Sequence, residues 1–433
     1  MGSGGSAPMS GPVYHYNPKN PSTTKFPAYF EGASFFYEWS RNSVKEIRFD
    51  RDGKLLKIND FLSSQKFNKP MDMTFGPDGS LYVLEWGSSF GGGNNDSGLY
   101  RIDYAQGQRI PVAKAAASVT NGPVPLTTEF SSAGSQDPDG DNLSYAWDFD
   151  GNGTYDSTDA DPTHTYTAKG DFNAQLKVTD STGKSGYANI PVTAGNTAPK
   201  VTIDFPVDGK LIDFGDKIPY RITVTDPEDG PVDCAKVTVN PALGHDDHEH
   251  PTTDIPGCEG TVDTGDLGGH PEGADLTYVL NAKYTDRGGE NVGALTGYGR
   301  AVLQPRHKQA EYYDTQSGTR VVSQAGAENG KRIGDVSDGD WVAFHPMSVE
   351  GVGKVGYKLS SPYGVGAIEL RADAPDGKLL ATTPVPNTGG WDTYQTTPAV
   401  PVEALAGTHK LYLVFTSPQN NSFDVDAVEF QSP

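Results

Sequence analysis

Apolar residues in this chain fall at alternate positions within short runs, and no long stretch places them at helical spacing. The runs are rich in Val, Ile, Thr, Tyr and Phe, each bounded by Gly, Asp, Asn or Pro. The pattern predicts an all-β protein built of sandwiches or blade-like sheets. Residues 1–11 read as a leader or linker. Residues 12–104 carry two related stretches, FPAYFEGASFFYEWSRNSVKEIRFDRDGKLL and KPMDMTFGPDGSLYVLEWG through GLYRIDY, each an aromatic-rich strand, a polar turn and another strand. Asp52-Gly53 and Asp78-Gly79 are the tight hairpin turns, and self-similarity at this period suggests propeller blades. Residues 105–116 read as a linker. Strand-rich segments follow at 117–195, 198–304 and 307–433, the second interrupted by a long loop over 241–274 that carries most of the histidines.

At 433 residues the chain exceeds what one core can organise, which predicts three or four domains. Gly and Pro are abundant, but 21 Tyr, 18 Phe and 5 Trp give each segment aromatic material for a core, which argues against disorder. A net charge of −22 with no basic stripe argues against a nucleic-acid partner. Much of the acidity lies in Asp/Gly/Asn loops, the composition of oxygen-liganded calcium sites, although most of the 56 acidic residues read as solvated surface. The two cysteines, Cys234 and Cys258, fall in one segment and fit an intradomain disulfide formed in an oxidising, extracellular compartment. No run is long and apolar enough to span a membrane. The opening MGSGGSAP lacks the features of a signal peptide and reads as an artificial leader or the start of a fragment.

Three family resemblances refine this outline. Pro70, Phe75-Gly76-Pro77-Asp78-Gly79, Leu81-Tyr82-Val83 and Leu99-Tyr100-Arg101-Ile102 resemble the last two blades of a glucose/sorbosone dehydrogenase-type propeller, a family that uses pyrroloquinoline quinone. Its quinone pocket and catalytic His would be built by all the blades, so neither is assigned here; His15, in VYHYN, is the tempting candidate. Residues 117–195 resemble a PKD domain, a small Ig-like sandwich, through Trp147-Asp148-Phe149 and the turn from Tyr166 to Gly170. Residues 198–304 suggest a second Ig- or cadherin-like sandwich. QAEYYDTQSG, SDGDWVAF, GAIELRADAPDGKLLATTPVP, TGGWDTYQT, GTHKLYLVF and SFDVDAVEF, in that order over residues 307–432, resemble carbohydrate-binding module family 6, a β-jelly roll.

The family 6 resemblance implies a structural calcium held by Gln309, Glu311 and Asp426, and a sugar stacked on Trp391 in its Gly-rich turn. Trp341, within a strand, reads as core. Asp335 stands where the family carries a second aromatic, and Asp424 where it often carries a sugar-bonding Asn; Tyr363 or Tyr394 could supply the second ring. In the PKD-like module, Asp148, Asp150, Asn152 and Asp156 have the alternate spacing of a calcium loop around Gly153. Asp137, Asp139 and Asp141 lack a trailing acidic ligand and read as an ordinary turn. His245, His248, His250 and His270, beside Asp246, Asp247 and Glu249, could hold zinc or copper, the alternative being a solvated polar loop.

No Gly-x-Ser-x-Gly elbow, phosphate-cradling loop or Cys/His pair emerges. The sequence therefore reads as a secreted, non-catalytic carbohydrate-binding protein that targets or anchors to polysaccharide. One alternative is a fragment of a quinone-dependent sugar dehydrogenase completed by an upstream propeller. Another is a structural component that self-associates through open blade edges.

Overall fold

A computed structural model describes the chain except residues 1–6, 51, 64, 89–93, 95, 106–108, 246–247 and 266–273. Strand makes up 50% of it and helix 2%, the all-β class expected. Two compact units divide the chain. One holds Met1–Ala198, Asp226–Gly230 and Asp286–Thr296, the other Pro199–Thr225, Pro231–Thr285 and Gly297–Pro433.

In the first unit, Pro8–Val13, Ser34–Glu38, Ser43–Phe49 and Leu55–Phe61 form a four-stranded antiparallel meander. Pro70–Phe75, Leu81–Glu85 and Gly98–Ile102 form a three-stranded one. Both bury their inward residues, Phe35, Tyr37, Phe61, Met73, Leu81 and Val83 among them, in one cluster. The Asp-Gly turns are as expected, with Gly53 and Gly79 each at φ 79°. Residues 8–11, expected as part of a leader, are instead strand. PMSGPV hides this because its pairing with Ser34–Glu38 is made by backbone atoms, and Gly11 is required where a Cβ would come within 2.9 Å of Met73.

The same unit contains a sandwich. One sheet joins Thr163–Tyr166, Leu126–Ser131 and Ala116–Ala117; the other joins Ser144–Asp148, Gly170–Thr179, Ser185–Ala194 and Asn121–Gly122. Trp147, fully buried, centres its core with Phe130, Phe149 and Leu176. The expected linker 105–116 is partly absorbed: Val112 donates its N–H to Gln136 O at 2.8 Å, and Arg109 pairs with Asp139 at 2.7 Å.

The second unit opens with a sandwich of Lys200–Phe205, Lys217–Thr225 and Glu259–Asp263 against a sheet containing Thr296–Pro305, Leu276–Thr285, Thr238–His245 and His248–Pro251. Among the described residues, the loop expected over 241–274 is thus largely strand. Its Gly, Pro and His residues break the alternation in the sequence, yet Ala242 and Leu243 are buried within the sheet. Cys234 and Cys258 form the expected disulfide.

Residues 307–431 form the jelly roll, with a seven-stranded sheet containing Lys331–Gly334, Asp424–Gln431 and Lys354–Ser360. A five-stranded sheet containing Trp341–Met347, His409–Thr416 and Ala367–Ala372 faces it. Alternate residues of both sheets, such as Val342, Phe344, Leu370, Leu413, Val425 and Phe430, fill the space between them.

Candidate functional site

Strand Lys354–Ser360 of the jelly roll ends where Asp424 begins its neighbour, Ser360 standing opposite Asp424 in the register. Several candidate residues gather at this end. The strand runs into the turn carrying Tyr363, and Ser361 holds a second turn, through Thr388, by backbone and side-chain bonds. Thr388 also accepts from Gln395 and donates to Gly390 O at 3.2 Å, which braces Gly389-Gly390-Trp391. Trp391 therefore sits on a tethered loop. Its indole is half-buried rather than fully exposed, and meets Tyr363 edge-on with centroids 6.0 Å apart and planes at 82°. Tyr363 is 52% exposed. The two rings, one half-buried and one exposed, form an apolar pair at this end of the jelly roll.

Polar groups lie at the same sheet end. Asp424 is 1% exposed and pairs with Arg332 at 2.5 Å. Burial pushes its carboxyl up to about 7, against the pull of Arg332 and with a further push from Asp335. Asp335 itself forms an ion pair with Arg320, so the position expected to carry a second aromatic carries a charge pair. Tyr394 is half-buried beside Ser360, Arg332 and Asp424, and burial pushes its phenol up to about 12. It belongs to the polar cluster and is not a second exposed ring. Gln324 bonds Asp392, the residue after Trp391. Arg332, Arg320 and Gln324 were not legible as site residues, because only the folded sheet and its loops bring Arg332 to Asp424, Arg320 to Asp335 and Gln324 to Asp392. Trp341, expected in the core, packs edge-on against Tyr412 at 5.1 Å on the opposite face of its strand from Val342 and Phe344.

Gln309, Glu311 and Asp426 also converge. Ala310 donates its N–H to Asp426 O at 2.8 Å, stapling the first strand of the module to the last. Glu311 is 7% exposed, and neither carboxylate oxygen has a hydrogen-bond partner; nor does Gln309 Oε1. Burial, with the nearby Asp426 charge, pushes the Glu311 carboxyl up to about 7. Asp426 is fully buried, accepts from Glu328 N–H at 3.1 and 3.2 Å and pairs with Lys358 at 3.1 Å. Three orphaned hard oxygens beside a buried carboxylate suit a calcium-like cation, since burying such groups without a partner is costly.

In the Ig-like sandwich of the first unit, one ligand atom each from Asp148, Asp150 and Asp156 lie within 4.8 Å of one another. Asp148 is already bonded by the loop, accepting the N–H groups of Gly151 at 2.8 Å and Gly153 at 2.7 Å. Burial raises its carboxyl, but those bonds outweigh it and hold it below the ordinary range. Asn152 is committed locally, its Oδ1 accepting from Thr154 N at 2.7 Å. The 137–141 segment is more than the ordinary turn expected. Asp180, from a distant loop, joins Asp137 and Asp141 in a second carboxylate group, whereas Asp139 is held by Arg109.

Of the histidines, His245 and His250 are brought together, whereas Glu249 is not beside them. The Glu249 carboxylate is 7% exposed, pairs with Arg300 and accepts from Asn281 at 2.9 Å. The expected ligands His270, Asp246 and Asp247 lie outside the described residues. His15 is 77% exposed beside Glu31.

Comparison with known proteins matches these segments to two families. The family model described as carbohydrate binding module (family 6) covers residues 309–432, and that described as PKD domain covers 108–194. Endo-1,4-beta-xylanase A of Thermoclostridium stercorarium is 32% identical over 113 residues, 26% of this chain and 22% of that protein. The chain thus spans less than a quarter of this relative's length. A beta-1,3-glucan binding family 6 module from Bacillus halodurans is 35% identical, with 29% of this chain and 95% of that one covered and a TM-score of 0.28. The PKD1 domain of the Vibrio cholerae metalloprotease PrtV is also 35% identical, covering 20% of this chain and 99% of that one, with a TM-score of 0.17. The chain is thus a multi-module protein that carries a PKD domain and, at its C-terminal end, a family 6 carbohydrate-binding module.

Proposed function

We propose that this protein is secreted and holds itself, or whatever it is joined to, on a polysaccharide through the Trp391 end of its jelly roll. The observation that carries the reading is the braced Trp391 loop, which offers part of an indole face beside Tyr363. Pyranose rings have apolar faces that stack on such surfaces, and their hydroxyls need nearby donors and acceptors. Here Arg332, Asp335 and Arg320 would supply them, Arg332 being held by the buried carboxylate of Asp424. The xylanase and the glucan-binding module among the relatives direct attention to xylan and β-1,3-glucan. A single such site binds weakly, and tethering to a wall or enzyme raises its effective concentration. The disulfide supports export to an oxidising compartment.

Calcium is the cation proposed for Gln309, Glu311 and Asp426, where it would neutralise the buried carboxylates and pin the first and last strands of the module together. The Asp148, Asp150 and Asp156 group is a second candidate for the same ion. Affinity electrophoresis of the whole chain through gels containing xylan, β-1,3-glucan or soluble cellulose tests the reading. Retardation in at least one gel, lost in W391A, is expected; equal mobility in all gels would refute it.

A further inference from the structure

The second sandwich of this chain has an assembled pair of imidazoles that sugar binding does not use. Strand Thr238–His245 turns back into His248–Pro251, the outermost strand along that path of the sheet, with His245 opposite His248 and Leu243 opposite His250. This register puts Leu243, His245 and His250 on one face and Gly244 and Glu249 on the other. On that face the Nε2 atoms of His245 and His250 are 2.9 Å apart, with the rings stacked at 5.0 Å and 19°.

Three features make this pair more than two solvated side chains. Both imidazoles sit on paired strands, which fix their separation. On the far face, buried Glu249 is clamped by Arg300 and Asn281, which locks the hairpin to the sheet. The Cys234–Cys258 bridge closes the segment that contains the hairpin. Preorganised donors of this kind spare a ligand the cost of gathering them.

We propose that His245 and His250 bind a first-row transition-metal ion through their Nε2 atoms, copper(II) more tightly than zinc. Imidazole nitrogens select such metals over calcium or magnesium, and copper(II) heads the order of affinities. Bonds of about 2.0–2.1 Å to a tetrahedral ion put two donor nitrogens roughly 3.3 Å apart, so the pair need open only slightly. Water would complete the coordination, which leaves positions open to exogenous ligands. The competing arrangement is a metal-free hydrogen bond in which one neutral imidazole donates to the other.

The test uses the whole chain, without a histidine tag, stripped of metal and held in excess calcium to fill oxygen-lined sites. Calorimetric titration with copper(II) and with zinc should show a single equivalent of each, copper binding the tighter. The copper spectrum in electron paramagnetic resonance should show coupling to nitrogen. H245Q and H250Q should each weaken binding at least about tenfold, a loss that even the outer partners of metal ligands produce. Neither imidazole is buried, so the melting temperature should hold. Absence of stoichiometric uptake, a copper spectrum without nitrogen coupling, or affinity unchanged in both variants would overturn the proposal.

Discussion

The indole of Trp391 and the phenol ring of Tyr363 meet in a T-shaped contact, 6.0 Å between centroids and 82° between planes. Tyr363 is 52% exposed and adds apolar surface beside the indole. Y363A should therefore weaken polysaccharide binding by about 0.5–1.5 kcal/mol, the usual worth of an aromatic pair. Titration with oligosaccharides checks this, and an unchanged affinity would show that the phenol serves only the loop.

Arg332 and Asp424 form a nearly buried ion pair at the same end of the jelly roll. Removing the guanidinium leaves a carboxylate in a site where burial already pushes it up to about 7. R332A should lose about 3–5 kcal/mol of stability at neutral pH, as breaking buried pairs does. The double variant R332M/D424L should recover much of that loss in chemical denaturation while losing sugar binding.

Glu311 carries a different expectation. With calcium held at its orphaned carboxylate, as proposed, a chelator should lower the melting temperature of the wild-type chain. Calcium at a hundredfold its dissociation constant would add about 2.7 kcal/mol. E311Q removes the buried charge and should melt above the wild type in chelator, yet gain far less from added calcium. Equal calcium responses would contradict the site.

His164 stacks on Phe149 at 4.3 Å and 20° in the PKD sandwich. Burial holds its imidazole below the ordinary 6.5, against the pull of Asp156 and Asp150. The unfolded chain therefore takes up the proton first. Stability from this residue is intact above 6.5 and declines as pH falls from there through the lower folded value. The His164 resonance in a nuclear magnetic resonance titration should have its midpoint below 6.5, and H164F should flatten the acid limb of the stability curve. A midpoint at or above 6.5 would reverse the sign.

Strand alternation and turn residues made most of the fold legible. Trp147 and Phe149 announced the sandwich core, and Asp52-Gly53 and Asp78-Gly79 the hairpins. What stayed hidden depends on pairing between distant segments. Pro8–Val13 carries too little apolar character to read as strand, because its place is fixed by backbone bonds to Ser34–Glu38. His245 and His250 looked like loop residues because Gly244, Pro251 and the charged residues between the histidines break the strand alternation. Arg332 reaches Asp424, and Asp180 reaches Asp137, only through register and loop closure that no local pattern encodes. Trp391 was legible from its Gly-rich turn, but its half-burial against Tyr363 was not.

In the proposed function a sugar ring stacks on Trp391. Calorimetric titration of the whole chain with xylohexaose and laminarihexaose, in calcium, tests it most directly. Saturable binding of at least one oligosaccharide is predicted for the wild type, weakened by about 2 kcal/mol, roughly thirtyfold, in W391A. Undiminished affinity in a folded W391A chain, or no heat from either sugar with the wild type, would contradict it.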